Sequence, residues 1–254
     1  MTYEIRQELF KLRHKKISWI STLILLLLMV MTGYSIGYEE SKVCLMTCYN
    51  SSYWIIFILV IVGATTFSME FQNNTILTLL YKSSGKFKVY LSKFVVLSLY
   101  NIFLHAMAII FTFLFSVSIF KSNITFSTIY KYGQPIWKNM VNTMMVDLLT
   151  TTLVLSIVFI LSCIINNNAV VITASLLVIF MGENVSTDLL RIHKFVDVMK
   201  WNPFSMLDLT NQYYNYVGYI GITHLTNLEM MMGALIYIII FLIVGYLIFR
   251  RKRF

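Results

Sequence analysis

Charge is scarce in this chain. Asp, Glu, Lys and Arg make up 12% of its 254 residues, against 58% hydrophobic residues and a mean hydropathy of +0.76. So little charge cannot cover a soluble domain of this length, which excludes a soluble enzyme or binding module. The residue-by-residue alternation of a membrane β-barrel is missing too. Cysteine is sparse: Cys163 lies in an apolar run, and Cys44 and Cys48 share a short segment where only an oxidising side would bond them, so free thiols are expected. No cleavable leader is evident, because a charged 17-residue stretch precedes the first apolar run and no small-x-small site closes it. Internal repeats and low-complexity tracts are also missing.

Signatures of chemistry are equally thin. There is no His-Glu-x-x-His, Glu39-Glu40 has no Arg four residues on, and His14, His105, His193 and His224 are too scattered for a metal site. The nearest echo of a phosphate-binding G-x-x-x-x-G-K-[ST] loop, Gly85-Lys86, runs into Phe87 and lacks the first glycine. No catalytic residue, cofactor or metal is expected on this chain, and it cannot hydrolyse ATP by that route.

What is present is apolar length. A helical span needs about 20 apolar residues to cross about 30 Å of hydrocarbon. Six segments qualify: 18–38, 53–69, 89–120, 140–165, 169–182 and 230–249. The expected fold class is therefore an all-α membrane protein with six transmembrane helices, a single domain over residues 1–254. The net charge of +9 lies beside apolar segments and not along a soluble face, which points to anionic lipid and topology, with no nucleic acid. Arg6, Lys11, Arg13, Lys15 and Lys16, then Lys82, Lys86, Lys88 and Lys93, then Arg250 to Arg253 fall on one side, so both termini are expected in the cytoplasm.

Three connecting stretches carry more detail. Over residues 1–17, Glu4, Glu8, Lys11 and Lys15 share one helical face and Ile5, Leu9 and Leu12 another, which predicts an interfacial helix lying flat on the inner leaflet. Asn166-Asn167-Asn168 is short and uncharged, which predicts a tight hairpin between the fourth and fifth spans. The fifth segment is short, and 183–228 is aromatic, with Trp201-Asn202-Pro203-Phe204 and Tyr213, Tyr214, Tyr216 and Tyr219. That composition suits a membrane interface, either as a re-entrant outer segment or as a plain extracellular loop.

The basic loop after the second span, 70–88, holds the most structured pattern. Asn73 or Asn74 can cap a helix on which Ile76, Leu79 and Leu80 share one face. Leaving that apolar knob in water is unfavourable by roughly 1.5 to 3 kcal/mol per large side chain, so it either enters a groove on a partner or folds back on the membrane. The lysines after it would snorkel to anionic lipid or meet acids on that partner. Ionisable residues in spans are functional candidates by default, which singles out His105, Asp147, Glu183 and Glu229 for a substrate path. For His105 the reading is a hydrogen bond between helices. The three acids either form an outer vestibule for cationic peptides or pair with Arg191 and Lys194, the pairing being preferred.

The order of these features resembles the ABC-2 type membrane subunits of ATP-binding-cassette exporters: a flat N-helix, six spans, an acidic-aromatic then Thr then Leu-Leu pattern after span two (Glu70-Phe71 to Thr78-Leu79-Leu80), and an aromatic, proline-containing segment before the last span. The resemblance implies a coupling helix from Asn74 to Tyr81 that docks on a nucleotide-binding subunit. The docking residues would be Glu70, Asn74, Thr75, Ile76, Leu79, Leu80 and Tyr81, with Glu70 placed to pair with a basic residue of the N-helix. It further implies ATP and Mg on a separate ATPase present in two copies, a second permease subunit giving a homodimer, and a bacterial cell membrane. By size and Lys/Asn/Ile-rich composition the chain resembles exporters of amphipathic peptides, including lantibiotic self-immunity and phenol-soluble modulin systems, whose substrates a Met- and Phe-rich lining would suit. Export of drugs or lipid precursors, and an ion-gradient-driven transporter with buried acids as proton sites, are the alternatives.

Overall fold

The computed structural model describes residues 2–36, 40–73, 75–82, 85–120, 124–192 and 196–252. Twelve α-helices run along these residues, and the one β-feature among them is an isolated bridge between Ile129 and Pro135. In order they are α1 (Thr2–His14), α2 (Lys16–Ile36), α3 (Ser41–Met46), α4 (Ser51–Gln72), α5 (Thr75–Lys82), α6 (Lys86–Ser118), α7 (Ile136–Ile164), α8 (Asn168–Leu190), α9 (Val196–Met199), α10 (Leu209–Tyr214), α11 (Tyr216–Thr223) and α12 (Asn227–Arg251). Six helical stretches are long and apolar enough to cross a membrane: α2, α3 with α4, α6, α7, α8 and α12. The protein is an all-α membrane protein.

The bundle is built around α7. Helices α3, α4, α6, α8, α10 and α12 all pack on it, and Leu153, Val154, Leu155, Val158 and Phe159 are inaccessible to solvent. Buried Thr143, Thr150, Thr151, Ser156 and Ser162 on the same helix keep its girth small, which lets neighbours approach closely. The expected hairpin is present: α7 ends at Ile164, α8 begins at Asn168, and the Asn167 side chain accepts from the amides of Ala169 and Val170 as an N-cap.

At the same end the chain closes on itself. Phe67, Phe71, Tyr90, Phe159 and Phe249 form an aromatic cluster, with Phe67 5.3 Å from Phe159 and 5.5 Å from Phe249 between ring centroids. Lys252 reaches across it, donating to the Cys163 carbonyl at 2.7 Å with its ammonium 4.1 Å from the Phe71 ring centroid. Lys86 donates to the carbonyls of Arg250 and Lys252 at 3.0 and 3.1 Å. The last turn of α12, the end of α4 and the start of α6 are thereby held together.

The expected short fifth segment is corrected. Helix α8 continues past Gly182 through Leu190 because its polar last turns find partners in the segment that follows. Ser186 pairs with Asn202 at 2.9 Å and Thr187 donates to Asp208 at 3.0 Å. The Asn202 side-chain Oδ1 accepts from the amides of Phe204 and Ser205, starting a buried 3₁₀ turn (Ser205–Asp208) that leads into α10. Residues 205–212 are buried among α7, α8 and α12, so much of the aromatic segment packs inside the bundle and does not loop away from it. A side chain on Gly182 would put its Cβ 2.5 Å from the Phe204 ring, and only a residue without one lets the two elements touch. Gly182→Ala is expected to displace Phe204 and cost about 1–3 kcal/mol as overpacking does, read as a lowered melting temperature in detergent with a shifted Trp201 emission.

Candidate functional site

Two polar constellations stand out, one at each half of the bundle. The first joins α1, α4 and α6. Lys93 of α6 is completely buried, 2.9 Å from Glu8 Oε2 and 2.7 Å from Glu70 Oε2; Lys11 lies 2.9 Å from Glu8 Oε1 and 3.0 Å from Glu70 Oε1. Two acids and two bases thus alternate in a closed ring with no net charge. A lone buried ion is costly by several kcal/mol, and here every ion has two counter-ions. Burial alone would raise the Glu8 carboxyl, but Lys93 and Lys11 outweigh it and hold it below the ordinary range. Burial alone would lower Lys11, but Glu8 and Glu70 outweigh it and raise it. Lys15, half-buried nearby, is lowered by burial and by the Lys93 charge.

The ring turns the polar face of the N-helix inward beside part of its apolar stripe. Glu4 and Glu8, on the face expected to look away from the membrane, are buried, while Leu9 and Phe10 are exposed. Of the expected apolar stripe, Leu12 is buried and Ile5 partly so. The pull of Lys93 and Glu70 on α1 decides which face turns inward. The basic N-helix partner expected for Glu70 is Lys11. Lys93, grouped from sequence with loop lysines bound for lipid or a partner, is instead enclosed by the chain's own acids; as an ionisable residue inside an apolar run it belonged with the functional candidates.

Helix α5 projects from this junction. Ile76 is 3% exposed and Leu79 packs partly on the core, so the expected apolar knob is turned toward the chain's own helices. The face left open carries Leu77, 51% exposed, and Tyr81, 93% exposed, one turn apart, with Thr75 exposed at its start. Sequence periodicity showed the stripe but not its direction, and Leu77 was missed. Asn74 and the side chain of Leu80 lie outside the described residues.

The second constellation lies inside the opposite half. His105 Nδ1 contacts the Asn101 carbonyl and Nε2 contacts Asp147 Oδ2, both at 2.9 Å. A carbonyl only accepts, so Nδ1 carries a hydrogen, and the contact to Asp147 needs one further proton shared between the two side chains. The pair is neutral as a unit whichever atom holds that proton. Asp147 Oδ1 accepts from the Thr210 hydroxyl at 3.0 Å, so one carboxylate ties α6, α7 and α10 together. Across a cavity of about 30 Å³, room for a water, stands Glu183; Asn50, Tyr53, Thr150 and Asn211 complete the walls. Asp208 stands near Glu183 and accepts from Thr187 at 3.0 Å and from Asn211 at 3.3 Å. Asp208 is raised by burial, opposed by those hydrogen bonds. Beside the cavity, Cys48, Tyr49 and Asn50 all have φ between 49 and 53°, a left-handed run that non-glycine residues rarely adopt.

The expected pairing of the three acids with Arg191 and Lys194 is corrected. Asp147 goes to His105 and Glu183 lines the cavity; Arg191 lies 3.7 Å from Asp188 on the surface, and Lys194 is outside the described residues. Glu229 is not in the interior at all. It is half-exposed and forms a capping box with Thr226 at the start of α12, for which the Thr-x-x-Glu spacing was the available signal. Asp208 and Thr210 had no such signal, since only the tucked segment brings them to the cavity. Cys44, Cys48 and Cys163 are buried free thiols.

Residues 4–182 match the family model for the ABC-2 family transporter protein. The chain belongs to that family: it is a multi-pass membrane permease of an ABC exporter, in a family that works with an ABC ATPase subunit. No curated protein matches it.

Lys93→Met leaves two acids in the ring with one cation and should cost about 3–5 kcal/mol, whereas Glu8→Met with Lys93→Met removes one ion of each sign and should cost less than the single change; thermal melting in detergent checks both. Because Glu8 is lowered, its contribution is complete above its ordinary pKa of 4.5 and is lost as pH falls through the lowered value. Lys11, raised, contributes fully below its ordinary 10.5 and loses its contribution only as pH rises through the raised value. The melting difference between wild type and Glu8→Gln should therefore be flat between these limits and vanish on further acidification.

Proposed function

We propose that this chain is the translocation subunit of a bacterial ATP-driven exporter of amphipathic peptides, docked on its ATPase through α5. The observation that carries the docking is the open Leu77 and Tyr81 face on a helix anchored on both sides. Glu70 precedes it in the charge ring, and Lys86 follows it on the carbonyls of α12. A push on α5 then meets a fixed base and not a slack loop, as a power stroke requires. ATP and Mg reside on the partner, present in two copies, and a second permease, a copy of this chain, completes the path. The basic residues at the end that carries α1, α5 and residues 250–252 support placing both termini in the cytoplasm. Fifteen Met and nineteen Phe residues support a soft, adaptable surface for varied apolar peptide faces, including toxin or antimicrobial peptides against which export confers self-immunity.

A specific observation favours a second reading. The proton-sharing pair His105 with Asp147, with Glu183 across the small cavity beside it, is what a proton-coupled carrier would need, in which case a proton gradient drives the substrate.

Leu77→Asp with Tyr81→Asp should leave melting unchanged and abolish co-purification of a Walker-A ATPase together with peptide-stimulated ATP hydrolysis; unaltered co-purification and transport would sink the docking assignment. Asp147→Asn and Glu183→Gln should alter peptide efflux while the ATPase still co-purifies. Efflux that persists without ATP and stops when the proton gradient is collapsed would establish the second reading.

A further inference from the structure

A groove of about 360 Å³ runs between α1 and α6 beside the start of α2. Its walls are Leu9, Leu12, Leu99, Tyr100 and Phe103, with Arg13 and Trp19 at the edge. The polar atoms of those walls are already satisfied. Ser18 donates to the Leu12 carbonyl at 2.8 Å, Tyr100 to the Ser18 carbonyl at 3.2 Å, and the Trp19 indole to the Arg13 carbonyl at 2.9 Å. The trough therefore accepts an apolar chain without asking it for hydrogen bonds.

Its rim is of one sign. The charge ring draws Glu4 and Glu8 to the buried side of α1, which leaves Arg6 and Arg13, two turns apart, on the exposed side. Neither guanidinium makes an ion pair among the described residues. Two other surface grooves, of about 410 Å³ between α2 and α4 and about 420 Å³ along α6 and α7, carry no charged side chain. Trp19, 59% exposed, is the residue type that settles at headgroup level, which puts the rim where lipid phosphates lie. A second copy packed through the same face would bring the same cationic rim and be repelled.

We infer that this groove binds an anionic glycerophospholipid, with an acyl chain along Leu9, Leu12, Leu99, Tyr100 and Phe103 and its phosphate on the Arg13 guanidinium. Arg6 supplies the next cation along the rim. The site is independent of what the permease transports.

The test uses the full chain with Trp54, Trp137 and Trp201 replaced by Phe, reconstituted in phosphatidylcholine vesicles that contain a rising fraction of dibrominated phosphatidylglycerol or dibrominated phosphatidylcholine. Quenching of Trp19 should reach half its maximum at about five-fold lower fraction of the anionic lipid, the preference one arginine confers near an anionic surface. Arg13→Gln should remove that preference and Arg13→Lys should retain most of it. Identical curves for the two lipids, meaning unselective annular lipid, would overturn the inference. So would a preference that survives Arg13→Gln, or no quenching by either lipid because another protein surface covers the groove. If the Trp19-only chain does not fold, the quenching lost between wild type and Trp19→Phe gives the same comparison.

Discussion

The fully buried ammonium of Lys93 is the constraint on which one end of this protein depends. An unpaired charge at that depth would cost more than most single contacts return, so the fold must bring acids to it. Glu70 comes from the end of α4 and Glu8 from α1, and Lys11 is needed because two acids then surround one base. From this follow the inward polar face of α1, the fixed root of α5, and the one-signed cationic surface that α1 presents outward. Replacing the ring by apolar residues need not weaken the fold, but it would remove the force that selects which face of α1 turns inward.

The other half solves the same problem with protons. His105 with Asp147 is held as a neutral unit, and Asp147 and Asp208 are joined to hydroxyls and amides of α7, α8 and the segment between α8 and α12. Removing a counter-ion disrupts the first arrangement, whereas adding or withdrawing a proton disrupts the second. Since Asp147 touches α6, α7 and α10 at once, a change in its proton count reaches three elements through direct contacts.

Span number and fold class were legible in the sequence because about twenty apolar residues in a row have few other uses. The hairpin at Asn167 and the existence of α5 were legible for similar local reasons. The orientation of α1 was not. Both of its stripes were visible, but the choice between them is made by Lys93 and Glu70, distant in sequence. The length of α8 was hidden because Glu183, Ser186 and Thr187 look like the polar end of a span until Asn202 and Asp208 fold back to satisfy them. Ile76 and Leu79 illustrate the same limit: periodicity identifies a face, and only tertiary packing tells whether it looks in or out.

The lysine clamp between α12, α7 and α6 has a bearing on biosynthesis. Lys86 is bound to carbonyls 164 and 166 residues further along the chain. During translation the charge ring can close once the third span has emerged, but the clamp of Lys86 on the end of α12 forms only when Arg250 and Lys252 have been made. A prematurely terminated chain would thus insert most of its spans and still lack the finished seat for α5, so the clamp makes completion of the polypeptide a condition for assembling that end of the molecule.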